Sequence, residues 1–233
     1  MFSYYGSKSK VVDYYPSPKF DKIIEPFAGS ARYSLKYFDH DVLLVDKYQV
    51  IVDVWHYLQQ ASEADILSLP DVNKGDDIRD MKLDNGARLL IGFCINGGSV
   101  EPKNIGTDNV IRNFNSWNKD KIRIAKELHK IRHWKIMQCD YSQLENETAT
   151  WFIDPPYQFG GELYKVSATE LNFQELGEWC KSRSGQIIVC ENTKADWLPF
   201  YPMREMTGSV HKTTEAIWSN MPHDYQARQL ELV

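Results

Sequence analysis

A chain of 233 residues is long enough to bury a substantial core, as one compact domain or as one domain carrying an insertion. Its 42% apolar and 25% charged content is ordinary for a globular protein, and no stretch approaches the length of a membrane span. The polar, aromatic N-terminus does not read as a signal peptide. The four dispersed cysteines form no C-x-x-C pair, so free thiols in a cytoplasmic protein are expected, not a zinc site or a disulfide frame. A net charge of −5 argues mildly against a nucleic-acid partner, but the charges segregate: from Lys119 to Lys135 seven basic residues face two acids.

The opening Ser3-Tyr4-Tyr5-Gly6-Ser7-Lys8-Ser9-Lys10 reads as a loop able to hold a carboxylate or phosphate, or as a frayed terminus. Asp21 to Ile24 leads as a first strand into Glu25-Pro26-Phe27-Ala28-Gly29-Ser30, a small-residue turn before a helix at about 31–38. Such a turn lets backbone approach a ligand at a helix N-terminus. Asp41 to Asp46 is a second strand ending in an acid, placed as nucleotide-binding α/β folds place the carboxylate that takes ribose hydroxyls. A helix over 50–60 follows.

From Ser62 to Lys135 the βα alternation stops. Leu89 to Ile95 is an apolar helix or strand, broken by Gly97-Gly98-Ser99. A polar loop over 104–118 carries Arg112, Asn113, Asn115 and Trp117. The next helix has an apolar stripe (Ile122, Ala125, Leu128, Ile131). Together with Lys119, its cations Arg123, Lys126 and Lys130 suit phosphate, while the loop amides and guanidinium suit base edges. His129 and His133 lack the glutamate of H-E-x-x-H and join the basic face; no metal is expected. Order resumes with a third strand, Trp134 to Gln138, ending at Cys139-Asp140-Tyr141.

A fourth, buried strand, Ala149 to Ile153, ends in Asp154-Pro155-Pro156-Tyr157. A carboxylate beside a backbone carbonyl can accept both N–H bonds of a nucleobase amino group and stabilise the charge that grows on its nitrogen. Two residues without N–H donors can keep the Pro155 carbonyl toward the site, and the Tyr157 ring can stack on a base drawn from the duplex. The loop 158–164 suits a mobile cover. Asn172 starts a helix expected to end near Gly185. Gln186 to Cys190 is a fifth strand, and Glu215 to Asn220 and Gln226 to Val233 read as two more.

Asp154 to Tyr157 resembles the catalytic motif of amino-methyltransferases, and its setting is similar to the Dam-type (D12 class) DNA adenine-N6 methyltransferases. Tyr4 to Lys8 resembles the family's aromatic-x-Gly-Gly-Lys segment, with Ser7 at the second glycine. Glu25 to Ala31 resembles its Glu-Pro-Phe-x-Gly-x-Gly turn, with Ala31 at the last glycine. The resemblance implies a Rossmann-like α/β fold, with a mixed sheet and helices on both faces, that binds S-adenosyl-L-methionine. Its catalytic domain would span 1–54 and 134–233, with a helical target-recognition insertion over 55–133.

The cofactor residues so implied are Tyr4, Lys8, Glu25, Phe27, Gly29, Asp46, Asp140, Tyr141, Asp154 and Tyr164. Asp154, Pro155, Pro156 and Tyr157 are catalytic, double-stranded DNA is the partner, and a monomer or weak homodimer is expected. Cytosine N4, RNA or a protein glutamine are competing acceptors, although Asp at the head of the motif favours adenine over cytosine. A catalytically silent DNA-binding subunit is the non-enzymatic alternative.

Overall fold

The computed structural model describes residues 1–95, 98–107, 117–166, 168–207 and 212–222. Arg112, Asn113, Asn115 and the strand expected over Gln226 to Val233 lie outside them. Seven strands form one sheet among the described residues: β1 (Lys22–Glu25), β2 (Asp41–Asp46), β3 (Lys135–Gln138), β4 (Ala149–Ile153), β5 (Gly185–Asn192), β6 (Tyr201–Thr207) and β7 (Lys212–Ser219). The order is β3-β2-β1-β4-β5-β7-β6. β3 to β5 run parallel, and β7 lies antiparallel to both β5 and β6.

Alternation along the strands builds two cores, because successive side chains point to opposite faces. Ile23, Val42, Leu44, Phe152, Ile188, Cys190 and Ile217 face one core. It is closed by α1 (Arg32–Lys36), α2 (Gln49–Gln60), α4 (Asn85–Cys94) and α5 (Trp117–Glu127). Ile24, Val45, Trp151, Ile153, Ile187 and Val189 face the other, which is covered by α6 (Phe173–Lys181) through Leu176 and Cys180. Helices therefore lie on both faces of a mixed sheet, as expected. A short α3 (Glu63–Ser68) carries a capping box between Ser62 and Asp65.

Several sequence expectations are corrected. The N-terminus is not frayed: Met1 and Phe2 are fully buried in the first core. Trp117 is no loop residue but the buried start of α5, its indole donating to the Pro70 carbonyl at 2.8 Å. Ile122 leaves the apolar stripe, being 48% exposed, and Ile124 takes its place.

Gly185 does not end α6, which stops at Lys181; it opens β5 with φ of 100°. A Cβ there would lie 2.2 Å from the Ala149 carbonyl, so β4 and β5 meet at this point only because the residue is glycine. β6 has no counterpart in the sequence reading. It is an edge strand with Pro202, Arg204 and Glu205, and its register shifts between Pro202 and Arg204, so it lacks an apolar run. α2 runs continuously through residues 54 and 55, and Trp55 packs edge-on against Phe2 at 5.3 Å.

Candidate active site

The strand order reverses between β1 and β4, and ligands of open α/β sheets bind at the carboxyl ends of strands on either side of such a reversal. A cleft of about 810 Å³, mouth included, lies there. Its walls are the N-terminal segment, the turn after β1, the tips of β2 and β4, and the residues after β3.

The turn is held from three sides. Glu25 closes β1 with a buried side chain whose Oε1 accepts the Ser34 N–H at 2.7 Å. Burial pushes its carboxyl up to about 8 despite that bond. Gly29 and Ala31 both adopt positive φ, 45° and 43°. The Gly29 N–H donates to Asp46 Oδ2 at 3.0 Å, and the Trp55 indole donates to the Gly29 carbonyl at 2.9 Å. Asp46 Oδ1 accepts the Tyr48 N–H at 2.9 Å. Burial raises the Asp46 carboxyl to about 6 against these two bonds. Each oxygen keeps a second acceptor direction, which is what a ribose diol requires.

The N-terminal segment is tied down by two arginines. Arg32 donates to the Phe2 carbonyl at 2.9 Å, and Arg123 to the Met1 carbonyl at 2.7 Å. Ser7 Oγ receives the Arg32 Nε–H at 3.0 Å and hydrogen-bonds Ser30 Oγ at 3.1 Å, joining segment to turn. Tyr4 packs edge-on against Phe93 at 5.6 Å, with its ring 3.2 Å from where a Gly29 Cβ would sit. Sequence reasoning passed over Arg32 and Ser30.

At the tip of β4, Lys8 Nζ lies 2.8 Å from Asp154 Oδ1. The same ammonium is 3.8 Å from Glu215 Oε1 on β7 and 4.4 Å from the centre of the Tyr157 ring. Glu215 Oε1 also accepts the Tyr15 hydroxyl at 2.6 Å and the Tyr157 hydroxyl at 2.5 Å. Burial raises the Asp154 carboxyl to about 6; Lys8 opposes the rise and Glu215 adds to it. Burial alone would lower the Lys8 amine, but Asp154 and Glu215 more than reverse this, so Lys8 stays charged.

Glu215 was also missed from sequence. Its signal was strand phase: it stands two residues before the core residue Ile217, so it points inward as well. Asp154 and Pro156 line the cleft, whereas Pro155 and Tyr157 do not.

Asp140 and Tyr141 line the cleft beyond β3. Asp140 caps the following turn through Ser142 N–H at 3.0 Å and pairs with Lys47 at 3.2 Å. Burial would raise its carboxyl, but those contacts hold it below the usual range. Tyr141 and Phe27 form an aromatic wall, ring centres 5.4 Å apart. Tyr164 reaches back from the loop after β4 to donate to the Tyr5 carbonyl at 3.2 Å, lining the same cleft.

The basic helix is less uniform than its sequence. Arg123 pairs with Asp120 at 2.8 Å and Glu127 at 3.3 Å besides holding Met1. Lys130 sits 3.7 Å from Glu127 and over the Phe38 ring at 5.3 Å. Lys119 and Lys126 are less buried, Lys126 being exposed on the helix surface.

Among the described residues, no group of three or more His, Cys, Asp and Glu has the placement to hold a metal, and no helix is long and apolar enough to cross a membrane.

No protein-family model and no curated protein matches the chain. Among solved structures, yhhF of Escherichia coli, a proposed methyltransferase, aligns at 10% identity over 93% of this chain and 81% of its own, with a TM-score of 0.38. A conserved hypothetical protein of Streptococcus pyogenes aligns at 12% over 91% and 92%, TM-score 0.36. HI0767 of Haemophilus influenzae, a proposed methylase, aligns at 10% over 86% and 87%, TM-score 0.38. Likeness at that level defines neither family nor substrate. The strand order, with β7 antiparallel between β5 and β6, is itself that of the Rossmann-like methyltransferase fold.

Proposed function

We propose that the chain transfers a methyl group from S-adenosyl-L-methionine to N6 of adenine in double-stranded DNA, the target base being turned out of the helix. The observation that carries this reading is the position of Asp154: a carboxylate followed by two prolines and an aromatic, at the tip of β4, facing the cleft that Asp46 and the Gly29 turn also face.

The residues present fit the cofactor. Asp46 offers a half-buried carboxylate at the cleft with acceptor capacity for a ribose. At Gly29 a Cβ would press on the Tyr4 ring at 3.2 Å, and its φ of 45° disfavours any other residue. Phe27 and Tyr141 offer an apolar wall for an adenine. Bound there, the cofactor supplies a methyl group on a sulfonium, which is already a good leaving group.

The chain's own work is alignment and charge stabilisation. Asp154 would accept one N–H bond of the target amino group, and the Pro155 carbonyl, which does not line the cleft as it stands, would have to turn toward it to accept the other. That favours a pyramidal nitrogen and stabilises the positive charge it gains. Tyr157 is fixed at its hydroxyl by Glu215, while Lys8 covers one face of its ring. Stacking a base on that face requires Lys8 to shift. Residues 55–133 would form the target-recognition region, with Lys119, Lys126 and Lys130 toward phosphate.

DNA from cells expressing the chain, digested to nucleosides, tests the assignment. N6-methyladenine is expected, and Asp154→Ala should reduce it by about a thousandfold or more while the protein stays folded. Near-normal methylation by that variant would overturn the role of Asp154. Methyl groups on cytosine N4 or only in RNA would overturn the substrate. Absence of any product, with no calorimetric binding of the cofactor, would favour the silent subunit.

A further inference from the structure

Asp154 poses a problem for the reaction just proposed. Its Oδ1 already carries the Lys8 ammonium at 2.8 Å, and the amino group must find an acceptor in the same place. A second carboxylate stands ready to take that ammonium. Glu215 is buried, its Oε1 lies 3.8 Å from Lys8 and already accepts two phenol hydroxyls, so a shift of Lys8 by roughly one ångström would bring the ammonium into close ion pairing with this fixed carboxylate. One cation between two anions leaves the cluster with a net negative charge, which suits a substrate nitrogen that becomes positive.

Stability alone is a poor reason for the arrangement. Burying Glu215 costs desolvation, and a well-packed apolar residue beside Ile217 would serve the core as well or better.

We propose that Glu215 is a positioning residue that receives Lys8 from Asp154 when the target amino group enters, freeing Asp154 to accept its N–H. The proposal rests on the methyl-transfer reading, because it needs an amino group to displace the lysine. Its electrostatic half does not: Glu215 and Asp154 compete for one cation whatever the substrate.

The groups facing Asp154 allow a clean measurement. Tyr15, Tyr157, Tyr164 and Cys190 are all pushed upward by burial and stay protonated across the acid range. Burial lifts Glu25 to about 8, so the alkaline side is mixed; Glu191 is raised by burial as well, and the site-resolved Asp154 signal is the one to read. Lys8 stays charged throughout.

The experiment compares the parent protein with Glu215→Gln and Tyr15→Phe. Carbon-13 NMR of the aspartate carboxyls, with Asp154 assigned by Asp154→Asn, gives its titration midpoint without substrate. In Glu215→Gln the midpoint should fall by about one unit, since Lys8 then belongs to Asp154 alone. In Tyr15→Phe it should hold or rise. A fall in both variants would mean general loosening and would overturn the proposal, as would an unchanged midpoint in Glu215→Gln.

Methylation supplies the second reading. The turnover of Glu215→Gln should drop about ten- to a hundredfold, with calorimetric cofactor affinity kept and the acid limb of its pH profile moved down. Unchanged turnover would overturn the proposal. A midpoint shift in a protein whose parent form methylates nothing would keep the charge competition and sink the methyl-transfer reading instead. Should Glu215→Gln not fold, Tyr15→Phe decides: a midpoint below the parent's overturns the proposal, and one at or above it supports it.

Discussion

At the scale of single residues, three carboxylates of the site, Glu25, Asp46 and Asp154, are held in surroundings that oppose their charge. Glu25 shows the consequence most directly. Its ordinary value is 4.5, and burial carries it to about 8 in the folded chain. A carboxyl raised on folding favours the native state while protonated, and that contribution is lost as pH rises from the unfolded value to the folded one. Glu25→Gln does not titrate and keeps an acceptor for the Ser34 N–H. Thermal melts should therefore show little difference from the parent at pH 4.5, and a growing advantage for the variant up to pH 8. A constant offset across that window would mean that Glu25 is ionised on folding without penalty. Residues of this kind were visible in the sequence only where a motif framed them. Asp46 and Asp154 end apolar runs and announce themselves. Glu215 and Arg32 act through partners far along the chain, and a local window contains none of those partners.

At the scale of elements, the inner parallel strands were legible because their residues face apolar surroundings on both sides, which gives short unbroken apolar runs. β1, β2, β4 and β5 all satisfy this, and β7 did so through Ala216-Ile217-Trp218. β3, a largely exposed edge strand, was legible only from its place after the insertion. β6 failed because an edge strand needs no such run and tolerates proline. Gly185 misled for a related reason: a positive-φ glycine past a helix reads as its terminus, and here it starts the next strand. Its substitution makes the distinction measurable. Gly185→Ala would force a Cβ to 2.2 Å from the Ala149 carbonyl at a φ of 100°. It should cost about 2 kcal/mol or more in denaturant unfolding. A helix-terminal glycine free of that clash would cost less, so a destabilisation under about 0.5 kcal/mol would contradict the strand register.

For the whole molecule, the order of the sheet places the cleft, and the charges on α5 and on the turn that follows it bound what the flank can do. The sequence counted cations and read a uniform basic face; the fold commits Arg123 to the N-terminal segment and pairs both Arg123 and Lys130 with Glu127. If the chain binds duplex DNA as proposed, Lys126 and Lys130 changed to alanine together should weaken that binding. Every phosphate left without its lysine should lower the salt slope by about 0.9, so the pair should lower it by up to about two. Arg123→Ala should act first on folding, seen as a lowered melting temperature before any change in that slope. An unchanged slope for the lysine pair would remove them from the DNA surface.

One pairing reaches across nearly the entire polypeptide: the hydrogen bond from Tyr15 to Glu215 joins positions 200 residues apart. A ribosome delivers Lys8, Tyr15 and Asp154 long before β7 exists. On the proposal above, a chain without β7 would leave the Lys8 ammonium to Asp154 alone. If Glu215 receives Lys8 as proposed, a fragment ending before residue 215 should keep its ammonium on Asp154 and transfer no methyl group.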